Sequence, residues 1–195
     1  DLPLSRGLGD VYKRQLLATP LQMAVVAATL ANRGRLVQPR MLRGIDTPEQ
    51  DDLQPLPPPA QIASEQITAE DWENMVASLE DVVHLGNQGF RRNGTAWAYI
   101  GQDIDYRMAG KSGTAQVVEI RQGEEYDEGT LSEFDRKHAW FIAFAPVENP
   151  TIALAVLVEN GGGGSSVAGP VARAVLDAHM QKAKSAAQQE MVVQR

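Results

Sequence analysis

The 195-residue sequence contains no cysteine. That excludes a disulfide scaffold and any thiolate-bound metal, and leaves the redox compartment open. No apolar run approaches the roughly 18 residues that a membrane-spanning helix needs, and no secretory leader is recognisable at the start. Basic charge is in deficit: 18 Lys and Arg against 25 Asp and Glu leave a formal net charge of −7. An acidic chain is a poor match for nucleic acid or for an anionic membrane surface as main partner. There are three histidines. His84, His138 and His179 have no ligand spacing, so neither a metal nor another cofactor is expected. What is plentiful is apolar side chain, 43% of the residues, enough for a real core and against a disordered chain.

The first fifteen residues fit poorly with the rest. Asp1 to Gln15 has no sustained period, and Gly9-Asp10-Val11-Tyr12-Lys13-Arg14-Gln15 resembles the translation of a transposon-end sequencing adapter. Residues 1–15 are therefore expected to be non-native, with the protein proper beginning near Leu16. A helix is predicted from Thr19. Thr19 is a good N-cap, Pro20 suits the first helical position, Gln22 completes a capping box, and Gly34 is a natural stop. Its Ala, Val, Leu and Met body predicts burial. Residues 35–66 read as a short extended piece, Leu36 to Leu42, and a surface loop. Pro55, Pro57, Pro58 and Pro59 argue against regular structure there.

A second helix is predicted from Thr68 to His84. Asp71 closes a capping box, and Trp72, Met75, Val76, Leu79, Val82 and Val83 recur on one face. His84 suits a favourable charge at the helix C-terminus. Asn93-Gly94-Thr95 reads as a turn. Met108 to Ile120 reads as a strand, and Arg121 to Lys137 as a solvated connection. Ala139 to Ala145 and Thr151 to Val158 read as an antiparallel hairpin across Pro146-Val147-Glu148-Asn149-Pro150. The second of these is continuously apolar, which predicts cover on both faces. Trp140, Phe141 and Phe144 are expected in the core, with one of them a possible aromatic wall for a substrate. A last helix follows Gly161 to Gly164, with Val167, Val171, Ala174, Val175 and Ala178 as its stripe. Beyond Lys182 the Ala/Gln-rich tail, 183–195, is expected to fray. The fold class that results is α+β, an antiparallel sheet flanked by helices.

Chemistry concentrates at Lys111-Ser112-Gly113-Thr114, at the start of a strand. Alternation places Lys111 and Gly113 on one face and Ser112 and Thr114 on the other. Gly113 lets a ligand or another backbone come close. A cation and two hydroxyls near an exposed strand suit a carboxylate-bearing extended peptide, and backbone N–H groups there can pair with it or stabilise an oxyanion. Other candidates are weaker. Gly161 to Gly164 lacks the Lys-Ser/Thr ending of a phosphate cradle. Glu124, Glu125, Asp127 and Glu128 are contiguous and read as a solvated charge run.

The longer string Met108 to Gln116, with Lys111-Ser112-Gly113 as a form of the Lys-Thr-Gly element, resembles the elongation-type penicillin-binding D,D-transpeptidases, the penicillin-binding protein 2 family. Ala18 to Ala24, Asn93-Gly94-Thr95-Ala96, His138 to Pro146 and Glu159-Asn160-Gly161-Gly162 fit in the same order. The resemblance covers residues 16–182 and implies the C-terminal portion of an incomplete penicillin-binding, β-lactamase-like transpeptidase domain. It implies a serine that attacks the penultimate D-alanyl carbonyl of a peptidoglycan stem peptide, with β-lactams as mimics of that donor. Lys111 would supply positive charge near the serine, Ser112 and Thr114 would contact the substrate carboxylate, and the Thr114 backbone N–H would form half of the oxyanion hole. It also implies a parent anchored in the bacterial inner membrane by an N-terminal helix not present here. The parent would face the periplasm and work with the rod-shape elongation machinery. Neither the Ser-x-x-Lys nor the Ser-x-Asn element occurs in the sequence, so this chain alone is expected to be inactive. A β-lactamase-like or β-lactam-sensor domain, or a non-catalytic interaction module, are the alternatives on the same fold. Loss of covering helices is expected to expose Phe141–Phe144 and Ile152–Val158 and to limit solubility.

Overall fold

The computed structural model describes residues 17–42, 44–47, 50–55, 62–63, 66–89, 92–115, 117 and 132–193. The expectations for residues 1–15, for the acidic run Glu124–Glu128, and for a strand continuing to Ile120 lie outside them.

The first helix, α1, spans Pro20–Ala31, and both predicted capping interactions form. The Thr19 hydroxyl accepts from the Gln22 N–H, and the Gln22 side chain accepts from the Thr19 N–H. Gly34 ends it at φ +89°, in the left-handed region that glycine adopts without strain. The helix is less buried than its composition predicts. Ala27 and Ala31 are buried while Leu21 and Val26 are exposed. Small residues face the sheet and allow a close approach, and the outer side has no cover among the described residues.

Two short strands follow, β1 (Arg35–Leu36) and β2 (Gly44–Thr47), then β3 (Gln50–Pro55) and β4 (Ile62–Ala63). β1 pairs with β4, and β2 with β3. The loop expected over this region therefore contains a β2–β3 hairpin. Pro55 is compatible with it because it sits at the last rung, opposite Gly44, where a missing N–H costs little.

The second helix, α2, spans Ala69–His84 with the Thr68–Asp71 capping box in place. It buries Trp72, Val76 and Val83. A π-helical turn, Trp97–Gly101, follows the turn at Asn93-Gly94-Thr95.

The principal sheet is antiparallel, in the order β5 (Ala109–Ala115), β6 (His138–Ala145), β7 (Ile152–Val158). β6 is central, which explains why Phe141 and Phe144 are almost fully buried. The core placement expected for Phe141 and Phe144 holds, and the exposure expected for them on loss of covering helices does not occur. Every residue of β7 is half-buried: Ile152, Leu154, Val156 and Val158 pack on one face and Ala153 on the other, so both faces have cover as the apolar run predicts, and the outer position leaves each residue partly exposed.

The last helix, α3, spans Gly169–Val193 and follows a second π-helical turn, Gly164–Ala168. Its backbone is helical beyond Lys182, where a fraying tail is expected. The stripe that packs on the sheet is Ala168, Ala172 and Leu176, all fully buried, while Val171 and Val175 are 47% and 46% exposed. Of the predicted stripe, Val167 packs against the core, while Val171, Ala174, Val175 and Ala178 lie outward. Two alanines and a leucine meet the sheet, and the β-branched Val171 and Val175 are left outside.

The two sheet faces carry separate cores. Ala139, Phe141, Ala143 and Ala145 of β6 pack with Ala168, Ala172 and Leu176. Phe144 packs with Ala31, Val76, Ala109 and Val147 on the α1 and α2 side. The architecture is α+β, an antiparallel sheet between helices, as the sequence predicts.

Candidate functional site

Lys111, Ser112, Gly113 and Thr114 occupy the middle and end of β5, an outer strand of the sheet. Their partners across the ladder are Ile142, Phe141, Trp140 and Ala139 in that order. Residues directly opposite in an antiparallel pair point to the same side. Ser112 and Thr114 therefore share the α3 face with Phe141 and Ala139. Lys111 and Gly113 share the α1/α2 face with Ile142 and Trp140. The four residues are contiguous but present two surfaces, with the hydroxyls on one and the cation on the other.

Lys111 and Thr114 are exposed, and Ser112 and Gly113 are half-buried. The Lys111 ammonium folds back to donate to the Ser112 carbonyl at 2.8 Å. A Cβ on Gly113 would lie 3.3 Å from Trp140 Cβ, so the glycine leaves the Trp140 side chain uncovered beside Lys111. Trp140 is half-buried, unlike Phe141 and Phe144. Of the three aromatics, it is the one placed to border a ligand on the lysine face.

Three supports hold β5. At its start the Met108 N–H donates to His84 Nε2 at 3.1 Å. This corrects the expectation of a charged His84. The ring must be neutral at Nε2 to accept, and burial holds its pKa below the ordinary value. Along its length β5 pairs with β6. At its far end the backbone of Gly164 rests on Gly113 and Trp140. A Cβ on Gly164 would clash with the Gly113 carbonyl and come within 2.6 Å of the Trp140 carbonyl and 3.0 Å of the Gly113 nitrogen. Within the sequence, Gly164 reads only as one member of a glycine run. Its contact partners are 51 and 24 residues away in number, so local pattern holds no signal for them.

Around this frame the charged side chains are structural. Arg107 bridges Glu80 and Glu148, and Arg33 pairs with Glu73. Arg173 pairs with Asp177 and caps the carbonyls of Ile100, Gln102 and Asp103. Tyr106 donates to Asp177 at 2.7 Å, and burial with that carboxylate raises its pKa. Arg136 Nε is buried without a hydrogen-bond partner among the described residues. No group of three or more His, Asp and Glu able to hold a metal occurs among the described residues, and no described helix is long and apolar enough to cross a membrane.

The model of the penicillin binding protein transpeptidase domain matches residues 4–177. The peptidoglycan D,D-transpeptidase MrdA of Haemophilus influenzae is 37% identical over 183 residues, which are 92% of this chain and 26% of that protein. The chain thus spans about a quarter of that relative's length. The crystal structure of Pseudomonas aeruginosa PBP2 in complex with WCK 5153 is similar over 83% of this chain and 30% of that one, with a TM-score of 0.63 and 37% identity. A complex between PBP2 and MreC from Helicobacter pylori is similar over 76% of this chain and 22% of the matched one, with a TM-score of 0.50 and 29% identity. With the sheet, the outer Lys-Ser-Gly-Thr strand and these likenesses together, the chain belongs to the penicillin-binding protein transpeptidase family.

Proposed function

We propose that this chain forms the substrate-strand side of a serine-type peptidoglycan D,D-transpeptidase that works in cell-wall elongation. The observation that carries the reading is the placement of Lys111-Ser112-Gly113-Thr114 on β5, an outer strand with an exposed cation and an exposed hydroxyl. An outer strand keeps alternate N–H and C=O groups free for an extended peptide. In the proposed reaction a serine oxygen adds to the penultimate D-alanyl carbonyl. The C–N bond to terminal D-alanine breaks, that amine takes a proton, and an acyl-enzyme remains. An amine of a neighbouring stem then displaces the serine and forms the cross-link. Lys111 stabilises negative charge near the serine. Ser112 and Thr114 receive the substrate carboxylate, and the Thr114 N–H supplies one oxyanion donor. β-Lactams enter as donor mimics.

The serine and its lysine are outside this sequence, since none of its serines begins a Ser-x-x-Lys element. A wall of the site without its nucleophile cannot carry out the covalent step. Incubation of the chain with a fluorescent penicillin is expected to give no covalently labelled band. A labelled band at unit stoichiometry would overturn this assignment of roles. The parent protein is proposed to face the periplasm at the bacterial inner membrane, with the elongation machinery as its partner. The likeness to the PBP2 of a PBP2–MreC complex supports that partner. A non-catalytic module on the same fold is the second reading. The gene upstream separates the two: an in-frame Ser-x-x-Lys ahead of Leu16 supports catalysis, and its absence leaves binding.

A further inference from the structure

The glycine run between β7 and α3 has a local problem. Gly161, Gly162, Gly163 and Gly164 have no side chains, and Gly162 adopts φ +76°. Such a segment has large conformational freedom to lose and no packing of its own to fix it. Yet Gly164 must come to rest on the backbone of Gly113 and Trp140. Asn160 is the residue of this link that carries a side chain. It sits at φ +54°, a conformation that asparagine tolerates better than most residues. Its N–H donates to His138 Nδ1 at 2.9 Å. Its Nδ2 donates to the Phe134 carbonyl at 2.6 Å and to the Arg136 carbonyl at 3.0 Å. The Gly162 N–H adds a bond to the Lys137 carbonyl at 2.8 Å. The link is thereby tied to residues 134–138, the segment that enters β6, and His138 is the residue opposite Ala115 at the end of β5.

We propose that Asn160 is a positioning residue for the candidate site: it clamps the 160–164 link to the start of β6, so that Gly164 holds Gly113 and Thr114 in place. This rests on the reading of Lys111–Thr114 as the substrate strand, and it goes beyond that reading by naming what sets the strand's position. The physical need is clear. β5 has a neighbouring strand on one edge alone among the described residues, and its far half lies beyond the His84 anchor. Without the clamp, Gly164 is held from one side alone, by the turn that buries Ala168, and the end of β5 loses part of its backing while keeping its ladder.

The direct test is amide hydrogen exchange on the 195-residue chain. Asn160→Gly keeps the positive φ and removes the side chain. Asn160→Asp keeps the shape and removes both side-chain donor bonds. In both variants peptides covering 112–115 are expected to exchange about tenfold faster, while peptides from α2 change less than about twofold. Unchanged protection at 112–115 overturns the proposal. So does an equal loss in all elements, which would make Asn160 a general stability residue. A second arm uses the longer protein proposed above and measures its acylation rate by a fluorescent penicillin. Asn160→Gly is expected to lower that rate about tenfold through misplacement of the strand, with its melting temperature little changed. Failure of the unmutated longer protein to be acylated counts against the transpeptidase reading and leaves the exchange result standing. Normal acylation of the variant overturns the positioning role.

Discussion

His84 shows how one residue's chemistry is decided by its surroundings. At the C-terminus of α2 a protonated imidazole would be favourable, but the ring is partly buried and accepts a backbone N–H. The direction of its shift sets the pH response. Its folded pKa lies below the ordinary value of about 6.5, so the unfolded chain takes up the proton first. Its contribution is present above about pH 6.5 and declines as pH falls below it, toward the folded value. Thermal melts of the chain should therefore lose stability from pH 7 to pH 5, and His84→Gln should flatten that part of the profile. Glu73, Asp105 and Glu148 have lowered pKa values through their Arg33, Lys184 and Arg107 partners or through local backbone bonds. Their effects fall at more acid pH, which separates the two windows. Gly164 makes a second case. Its Cβ position is occupied by the backbone of β5 and β6, and backbone cannot rotate away as a side chain can. Gly164→Ala should cost about 1–3 kcal/mol, read as a shift in the urea midpoint. A midpoint equal to that of the unsubstituted chain would mean the strut does not bear on the sheet.

Among the elements, the helices and the strands differ in how much of them was legible. Helix starts were local and could be read: Thr19 with Gln22 and Thr68 with Asp71 form their capping boxes. Thr68→Ala should destabilise the chain by about 1 kcal/mol, and circular dichroism during urea unfolding measures it. Helix faces could not be read with the same certainty. In α3 the valines Val171 and Val175 point outward, and Ala172 and Leu176, with Ala168 of the preceding turn, meet the sheet. Periodicity names a stripe, but the tertiary partner decides which of two adjacent stripes is covered. Strand positions divided similarly. β6 and β7 were recognisable from composition, whereas their order was not. The central strand is the most deeply covered of the three, so Phe141→Ala in β6 is expected to cost about 3–5 kcal/mol.

For the whole molecule, the consequence is an uneven surface. β7 carries neither charge nor proline between Ile152 and Val158, and its outer edge has no strand partner among the described residues. Val171 and Val175 add exposed apolar area on α3. Natural sheets protect such edges with charge, proline or cover. The isolated chain is expected to associate as its concentration rises, and sedimentation velocity should show species larger than a monomer. Val171→Glu with Val175→Lys should reduce that association. A single monomer peak for the unsubstituted chain at roughly 100 µM would show that the unpaired edge is not adhesive.

What the linear sequence determined by itself was local: caps, turns, the apolar hairpin, and the Lys111–Thr114 string with its ordered companions. These follow from neighbouring residues and their spacing, and chain order alone specifies them. Tertiary structure decided which side of β5 each group takes relative to the helices, that Trp140 is the aromatic left open beside Lys111, and that His84 is an acceptor. It also decided that Asn160 and Gly164 reach back to the far end of the candidate strand. Those outcomes depend on contacts between residues tens of positions apart, and packing distance, not sequence spacing, governs them.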